Sequence, residues 1–182
     1  MISSPRQASP EARAFPSLGR GTHLHFMGIG GIGMSGLAEI CLERGCIVSG
    51  CDAKLNPMAR RLQERGASIT LGHAAHHVAH ETDALIYSAA IGAQEPELVE
   101  ARTRGIPTIS RGALLAELAA HQSLIAVAGA HGKTTTSGMA SQLLLQAGWD
   151  PTVVVGGMMV TLGTNARHGR GARNRRVPPG EH

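Results

Sequence analysis

The chain has 182 residues, a formal net charge of +4 and 42% hydrophobic residues. This length allows one full domain and part of a second. Aromatic residues make up only 2%, so the core must be aliphatic, and the mixed basic and aromatic patches of nucleic-acid-binding proteins are missing. No apolar run reaches the roughly 18 residues of a membrane-spanning helix. We therefore expect a globular protein that binds neither nucleic acid nor membrane.

The N-terminal segment 1–21 lacks the apolar stretch of a secretory signal, and its prolines, serines and charges predict a disordered leader. The three cysteines, Cys41, Cys46 and Cys51, are odd in number and match neither a disulfide framework nor a zinc pattern. We expect reduced thiols and a cytoplasmic location.

Strands and helices alternate from Thr22 onward. Apolar residues recur at helical spacing after the first strand, and Gly45, Gly66 and Gly105 are placed to end three helices. The predicted elements are strands at 23–27, 47–51, 68–71, 84–87 and 106–110 and helices at 34–44, 58–65, 95–104 and 114–120. Such alternation predicts βαβ units on a parallel sheet, that is, an α/β Rossmann-like domain over residues 22–121.

A second series of elements begins after a boundary that we place near residues 121–123. An apolar strand at 124–128 leads into a lysine-containing loop, and a helix at 134–147 and a strand at 152–155 follow. We expect residues 122–167 to be the start of a second α/β domain of the P-loop ATPase type.

The first glycine pattern, Gly28-x-Gly30-x-x-Gly33, lies between a predicted strand and a predicted helix. Gly28 permits a tight turn, Gly30 lets the backbone approach a diphosphate, and Gly33 lets the helix pack closely on the strand. The helix N-terminus offers N–H groups and partial positive charge to an anion. Asp52, at the end of the second strand, is placed to accept hydrogen bonds from a ribose. The alternatives are NAD(P), another nucleotide diphosphate, or a glycine-rich turn without a ligand.

The second loop, Gly129 to Thr135, follows the last apolar strand and opens a helix. It has the short Gly-x-x-Gly-Lys-Thr-Thr form, since Val127 stands where the full phosphate-loop pattern has glycine. Backbone N–H groups would surround a phosphate, Lys133 would neutralise the terminal phosphates, and Thr134 or Thr135 would give a hydroxyl to Mg²⁺. A surface turn without a ligand is the alternative.

Four histidines lie close together in the sequence, at His73, His76, His77 and His80. A helix would bring them to one face, which suggests a metal site, but no cysteine or pair of carboxylates completes a convincing ligand set. We expect solvated loop histidines here.

The two loops, in this order, resemble those of the Mur ligase family. The resemblance covers about residues 22–167. Four segments carry it: 25–36, 48–52, 88–91 and 126–136. Within the family, the Gly-Ile-Gly-Gly-Ile-Gly-Met-Ser-Gly run at 28–36 is typical of members that add alanine rather than of those that attach a murein tripeptide.

The resemblance implies a three-domain enzyme of peptidoglycan synthesis. Its first domain would bind UDP-N-acetylmuramate, its second ATP and Mg²⁺, and its last would help to bind L-alanine. ATP would phosphorylate the substrate carboxylate, and the alanine amine would attack the resulting acyl phosphate. The alternative from another class is a non-catalytic NAD(P)- or UDP-sugar-binding module.

The resemblance also assigns site residues. Those expected to bind the UDP substrate are Gly28, Gly30, Gly31, Ile32, Gly33, Met34, Ser35, Asp52, Ser88 and Ala89. Those expected to bind ATP are Gly129, Ala130, His131, Gly132, Lys133, Thr134 and Thr135. Among the latter, Lys133 would be catalytic, and Thr134 and Thr135 would bind the metal.

Two departures from the family pattern are visible. Ala130 stands where the family usually has threonine, which a loop lined by backbone should tolerate. After Arg167 the family continues into a strand and an acidic metal-binding stretch, whereas residues 168–182 are basic and have no periodicity. We expect 168–182 to be a disordered tail that results from a frameshift or other replacement, with a functional basic tail as the alternative. We therefore expect the chain to bind a UDP-sugar weakly without completing ligation.

Overall fold

The computed structural model describes residues 15–120 and 122–172. In its first unit, strands and helices alternate: β1 (His23–Met27), α1 (Ile32–Glu43), β2 (Ile47–Asp52), α2 (Pro57–Glu64), β3 (Ser68–Leu71), β4 (Ala84–Tyr87), α3 (Pro96–Thr103), β5 (Thr108–Ser110) and α4 (Arg111–Ala119). A short 3-10 turn, Ala75–His77, lies between β3 and β4. The strands form one sheet in the order β3-β2-β1-β4-β5, and all neighbouring strands are parallel. The predicted α/β class with a Rossmann-like parallel sheet is confirmed.

Strand β1 lies at the centre of this sheet and is buried on both faces. Leu24 and Phe26 pack in a cluster that includes residues of α1 and α4, whereas Met27 packs in a second cluster with Leu98 of α3. Successive side chains of a strand face opposite sides, and helices cover both faces of a parallel sheet. The loop that follows β1 is therefore anchored in the most buried part of the first unit.

Two helix ends illustrate how local sequence sets the boundaries. Gly45, with a φ of +88°, follows the end of α1, in a left-handed conformation that glycine adopts without strain. At the start of α2, the Asn56 side chain accepts a hydrogen bond from the Ala59 N–H at 2.9 Å, and Pro57 occupies the first helical position. Asn56 thereby fixes the segment that follows β2 at the edge of the sheet.

The second unit contains one long helix and two pairs of strands: α5 (Lys133–Gln146), β6 (Trp149–Asp150), β7 (Val153–Met159), β8 (Thr164–Arg167) and β9 (Gly171–Ala172). Strands β7 and β8 are antiparallel, and so are β6 and β9. None of the helices in 15–120 and 122–172 is both long and apolar enough to cross a bilayer.

Strand β8 packs directly on α1 of the first unit. A Cβ atom at Gly36 would lie 2.8 Å from both the Ala166 Cβ and the Asn165 Nδ2, so only glycine permits this approach. The Thr164 hydroxyl donates a hydrogen bond of 2.8 Å to the buried Glu39 carboxylate. The two units therefore share a close-packed contact along α1.

The prediction of a strand at 124–128 is wrong. Residues 124–128 form no strand, and Leu124 and Ile125 are 68% and 70% exposed. A central parallel strand requires hydrogen-bonding neighbours and cover on both faces, and within the described part of the chain no strand pairs with this segment. Apolar character alone does not make a strand without these neighbours.

The expected leader and tail are each too long. Phe15 and Leu18 pack against the main core cluster, so disorder is wrong for residues 15–21, whereas 1–14 lie outside the described residues. The expectation of disorder is also wrong for 168–172, because Glu43 and Asp150 accept hydrogen bonds from backbone N–H groups of this segment, at 2.8 and 3.1 Å respectively. Residues 121 and 173–182 lie outside the described part.

Candidate nucleotide-binding site

The predicted UDP-substrate residues lie at the carboxyl edge of the sheet. The first glycine loop follows the central strand β1, Asp52 ends the neighbouring strand β2, and Ser88 follows β4 on the other side. Strand order reverses at β1, and ligands of open α/β sheets bind in the crevice at such a reversal. The fold thus brings residues that are up to about sixty positions apart to one crevice.

The first loop turns tightly and leaves the N-terminus of α1 open. Gly28 has a φ of +66°, and its carbonyl accepts a hydrogen bond of 3.0 Å from the Gly31 N–H. Gly31 is the N-cap of α1 and provides no side chain to cap it. The N–H groups of Ile32 and Gly33 belong to the first turn, which has no intrahelical acceptors, so they can bind an anion.

Met34 and Ser35 lie one step further along α1, with side chains in the interior. They are 3% and 4% exposed, and the Ser35 hydroxyl donates to the Ile32 carbonyl at 3.2 Å. Their backbone N–H groups donate to the Gly31 carbonyl at 2.9 and 2.8 Å. Both residues therefore support the first turn of α1 from below.

Both carboxylate oxygens of Asp52 are bound to the backbone. One oxygen accepts from the Gly30 N–H at 2.8 Å, and the other accepts from the Lys54 N–H at 3.2 Å. Asn56 donates to the Gly30 carbonyl at 2.9 Å. A Cβ atom at Gly30 would lie 2.8 Å from Asn56 Nδ2 and 3.0 Å from Asp52 Oδ2, so there is no room for a side chain. Asp52 and Asn56 together hold the loop in place.

Two contributors to this crevice were not among the predicted residues. Asn56 caps α2 and binds Gly30. The sequence feature that could have indicated this role is the Asn-Pro pair, which often begins a helix. Arg111, at the start of α4, lies over Gly33, where a Cβ atom would be 3.2 Å from the guanidinium carbon. The sequence feature that could have indicated Arg111 is its position, as a basic residue directly after the edge strand β5. Arg111 adds a positive charge to the N-terminal end of α1.

Ser88 and Ala89 form a turn directly after β4. The Ser88 hydroxyl accepts from the Ala90 N–H at 3.3 Å, and the Ser88 carbonyl accepts from the Ile91 N–H at 3.0 Å. Ser88 is half-buried and Ala89 is exposed. This turn faces the crevice from the side opposite to Asp52.

The second glycine loop is exposed from Ala130 to Thr136. Gly132 has a φ of +76° and is the N-cap of α5. The Lys133 ammonium donates to the carbonyls of Gly129 and Ala130, at 2.5 and 3.0 Å, so it lies over the loop that precedes it. The exposed His131 side chain belongs to the same loop.

Thr134 and Thr135 lie in the first turn of α5, next to strand β7. A Cβ atom at Gly157 would lie 3.1 Å from the Thr134 methyl carbon, so this side chain packs against the strand. Both threonines are exposed. Hydroxyl oxygens at this position are hard ligands of the kind that Mg²⁺ accepts.

His73 and His77 do not behave as solvated loop histidines. Their Nδ1 atoms each lie 3.4 Å from Glu97 Oε1, and His73 Nδ1 lies 3.2 Å from Cys51 Sγ. The expectation that no cysteine completes a ligand set with them is wrong for His73, and a single carboxylate, Glu97, stands in place of the expected pair. Cys51 comes from β2 and Glu97 from α3, both distant in sequence from the histidines.

Burial sets the charge of this cluster. Burial raises the pKa of the Cys51 thiol, and the adjacent Glu97 carboxylate raises it further. Burial also acts to raise the pKa of Glu97, but hydrogen bonds from Cys51 and from backbone N–H groups outweigh burial and leave this pKa below its usual range. Cys51 is thus a neutral thiol beside a buried carboxylate.

The family model described as Mur ligase family, catalytic domain, matches residues 23–123. Two similar curated proteins are both named UDP-N-acetylmuramate–L-alanine ligase. One, from Solibacter usitatus (strain Ellin6076), is 55% identical over 151 residues, which is 82% of this chain and 32% of the relative. The other, from Anaeromyxobacter sp. (strain Fw109-5), is 51% identical over 152 residues, which is 84% of this chain and 33% of the relative. The chain thus spans about a third of the length of these relatives.

Solved structures agree with the sequence relatives. A UDP-N-acetylmuramate–alanine ligase from Thermotoga maritima superposes with a TM-score of 0.77 at 31% identity, over 82% of this chain and 35% of that one. A UDP-N-acetylmuramate:L-alanyl-γ-D-glutamyl-meso-diaminopimelate ligase from Neisseria meningitides gives 0.74 at 35% identity, over 85% and 49%. Because the family model covers more than half of the sequence and relatives and structures agree with it, the chain belongs to the Mur ligase family.

Proposed function

We propose that this chain provides the UDP-N-acetylmuramate site and the ATP phosphate loop of an ATP-dependent ligase that adds L-alanine to UDP-N-acetylmuramate. The observation that carries the proposal is the first glycine loop. It stands at the reversal of strand order, excludes a side chain at Gly30, and opens the N-terminus of α1 to an anion. The relatives named for this reaction support the choice of substrate.

At the first loop, the UDP diphosphate would meet the N–H groups of Ile32 and Gly33. The positive end of α1 and the Arg111 guanidinium beside Gly33 both favour a doubly charged ligand. Ser88 and Ala89 would contact the nucleotide from the opposite side of the crevice. Asp52, which already binds two backbone N–H groups, would act chiefly by keeping the loop in its binding conformation.

At the second loop, the ATP phosphates would replace loop carbonyls as partners of Lys133. The ammonium group reaches the carbonyls of Gly129 and Ala130, so it is within reach of a phosphate held by the same loop. Mg²⁺, when bound with the nucleotide, would neutralise phosphate charge, and the hydroxyls of Thr134 and Thr135 fit it by ligand chemistry.

In the reaction, the substrate carboxylate attacks the terminal phosphorus of ATP, and ADP leaves. The alanine amine then attacks the acyl carbon, and inorganic phosphate leaves. Lys133 would stabilise the negative charge on the phosphoryl group during transfer. In residues 15–120 and 122–172, no group of three or more His, Cys, Asp or Glu lies beside Thr134 and Thr135. We also propose that the protein acts in the cytoplasm.

The proposal is tested by thermal-shift titration of the chain with UDP-N-acetylmuramate, ATP and NAD⁺. Binding to the folded state raises Tm by mass action. We expect stabilisation by UDP-N-acetylmuramate, and the Gly30→Ala variant should lose at least about tenfold in affinity because its Cβ displaces Asn56 or Asp52.

The matched control is Gly19→Ala, because an added Cβ at Gly19 meets no atom within 4 Å. This variant should bind as the wild type does. Stabilisation by NAD⁺ alone would overturn the proposal in favour of a dinucleotide-binding module.

A further inference from the structure

Three potential metal ligands from separate elements converge beside the end of β2. The Cys51 thiol, a His73 ring nitrogen and a Glu97 carboxylate oxygen all lie within 4.8 Å of one another. Cys51 belongs to β2, His73 follows β3, and Glu97 lies in the first turn of α3. The ligands are thus fixed by the sheet and a helix rather than by one loop.

The spacing of these atoms matches that of ligands around one small cation. Cys51 Sγ lies 3.2 Å from His73 Nδ1, which lies 3.4 Å from Glu97 Oε1. A tetrahedral zinc ion lies about 2.1 Å from nitrogen and oxygen and about 2.3 Å from sulfur, which places nitrogen and oxygen about 3.4 Å apart and sulfur and nitrogen about 3.6 Å apart. His77 Nδ1 lies 3.4 Å from Glu97 Oε1, but it does not belong to the group of atoms that lie within 4.8 Å of one another.

Burial gives an independent indication of a missing partner. Glu97 is completely buried, and its Oε2 atom has no hydrogen-bond partner among the described residues. His77 Nδ1 is likewise buried and has no hydrogen-bond partner in the described part. Native interiors rarely leave such atoms unsatisfied, and a buried carboxylate is costly unless it is paired or coordinates a metal. A network of thiol, imidazole and carboxylate alone does not satisfy these two atoms.

The chemistry of the ligands selects the metal. Thiolate and imidazole favour zinc and similar transition metals, whereas Mg²⁺ and Ca²⁺ prefer oxygen ligands only. The His73 side chain is 27% exposed, so an ion can enter from its side while Cys51 and Glu97 remain inside. Three protein ligands leave the fourth position of a tetrahedral zinc ion to a water molecule.

We propose that Cys51, His73 and Glu97 bind one zinc ion, with water at the fourth position. The ion would connect β2 to the segment that follows β3 and to α3. Cys51 directly precedes Asp52, which holds Gly30 of the first glycine loop. Zinc would therefore stabilise the support of that loop, whichever nucleotide the loop binds.

The test is a metal titration of the full chain after dialysis against a chelator, with Zn²⁺ and then Co²⁺ as probes. We expect one tightly bound Zn²⁺ per chain and a Tm that rises with Zn²⁺ concentration. Bound Co²⁺ should give a thiolate-to-metal charge-transfer band and the strong visible bands of a four-coordinate ion. A folded wild-type chain that lacks the thiolate band would overturn the proposal without any variant.

The variants Cys51→Ser and His73→Gln should each weaken Zn²⁺ binding by about 100-fold or more, because even second-shell changes cost about 10–100-fold. The matched controls are Cys46→Ser, another buried thiol, and His76→Gln, an exposed neighbour in the same turn. Both controls should bind Zn²⁺ as the wild type does. Equal losses in the controls, or full affinity in the ligand variants, would overturn the proposal.

Discussion

The two glycine loops of this chain use the same backbone chemistry but differ in what holds them. The first follows the central strand, which is buried from Leu24 to Met27, and is fixed by Asp52 and Asn56. The second is exposed, and its Lys133 binds carbonyls of its own loop. The first loop is therefore held by side chains of neighbouring elements, whereas the Lys133 side chain of the second loop binds within that loop. Two loops of the same chemical type thus differ in how firmly the described residues hold them.

The largest effect on stability is expected from a substitution in β2, the strand that leads to Asp52 and so supports the first loop. In Gly50→Ala, the new Cβ would lie 2.5 Å from the Phe26 carbonyl oxygen and 2.8 Å from Ile29 Cδ1, in the middle of the sheet. Overpacking of this kind should lower the free energy of unfolding by about 3 kcal/mol. Urea denaturation, followed by a signal from the first unit, measures this free energy of unfolding. If the variant is as stable as the wild type, the sheet accommodates the added Cβ atom at a position where we expect it to be rigid.

A second effect of nearly this size should appear in acid. Burial lowers the pKa of His25 to about 4, against 6.5 in the unfolded chain, although Glu97 opposes the shift and His23, His73 and His77 contribute to it. The unfolded state therefore binds the proton first. The His25 contribution is fully present above pH 6.5 and is lost as pH falls toward 4, by roughly 3 kcal/mol in total.

The measurement is the free energy of unfolding of the wild type and of His25→Gln between pH 7 and pH 4. The variant cannot titrate at this position, so its profile should be flatter by about the same amount. Parallel profiles for the two proteins would show that His25 is protonated equally in the folded and unfolded states.

A moderate effect is expected on ligand affinity, and it should differ between the two loops. Asp52→Ala removes the acceptor of the Gly30 and Lys54 N–H groups. Affinity for UDP-N-acetylmuramate should fall by about tenfold, which corresponds to about 1.4 kcal/mol, while ATP binding should not change. Isothermal titration with each nucleotide measures both. An equal loss for ATP would indicate that the two loops do not act separately.

The smallest effect is expected on the stability of α5, in the second unit. Gly138 lies within α5, and an added Cβ there meets no atom within 4 Å. Gly138→Ala should stabilise α5 by up to about 1 kcal/mol. Amide hydrogen exchange should slow in α5 and stay unchanged in β1 to β5. Slower exchange throughout the chain would show that the two units unfold together.

Most of the first unit could be predicted from the sequence, because its strands are buried on both faces and glycines such as Gly45 end its helices. The class, the strand positions and the first glycine loop follow from these local signals. The segment 124–128 could not be predicted, since its apolar side chains require neighbouring strands that local patterns do not reveal. The pairing of Cys51 with Glu97, and the position of Arg111 over Gly33, depend on tertiary contacts between distant residues.

The contact between β8 and α1 has an electronic consequence. The Asn165 amide donates a hydrogen bond to the Ile32 carbonyl, and this carbonyl belongs to the same peptide group as the Gly33 N–H. A peptide group that accepts a hydrogen bond at its oxygen becomes more polarised and donates more strongly through its nitrogen. Asn165 of the second unit thus makes the Gly33 N–H, which we propose binds the diphosphate, a stronger donor. Asn165→Ala should therefore weaken the hydrogen bond from Gly33 to the diphosphate, although Asn165 does not contact the ligand itself.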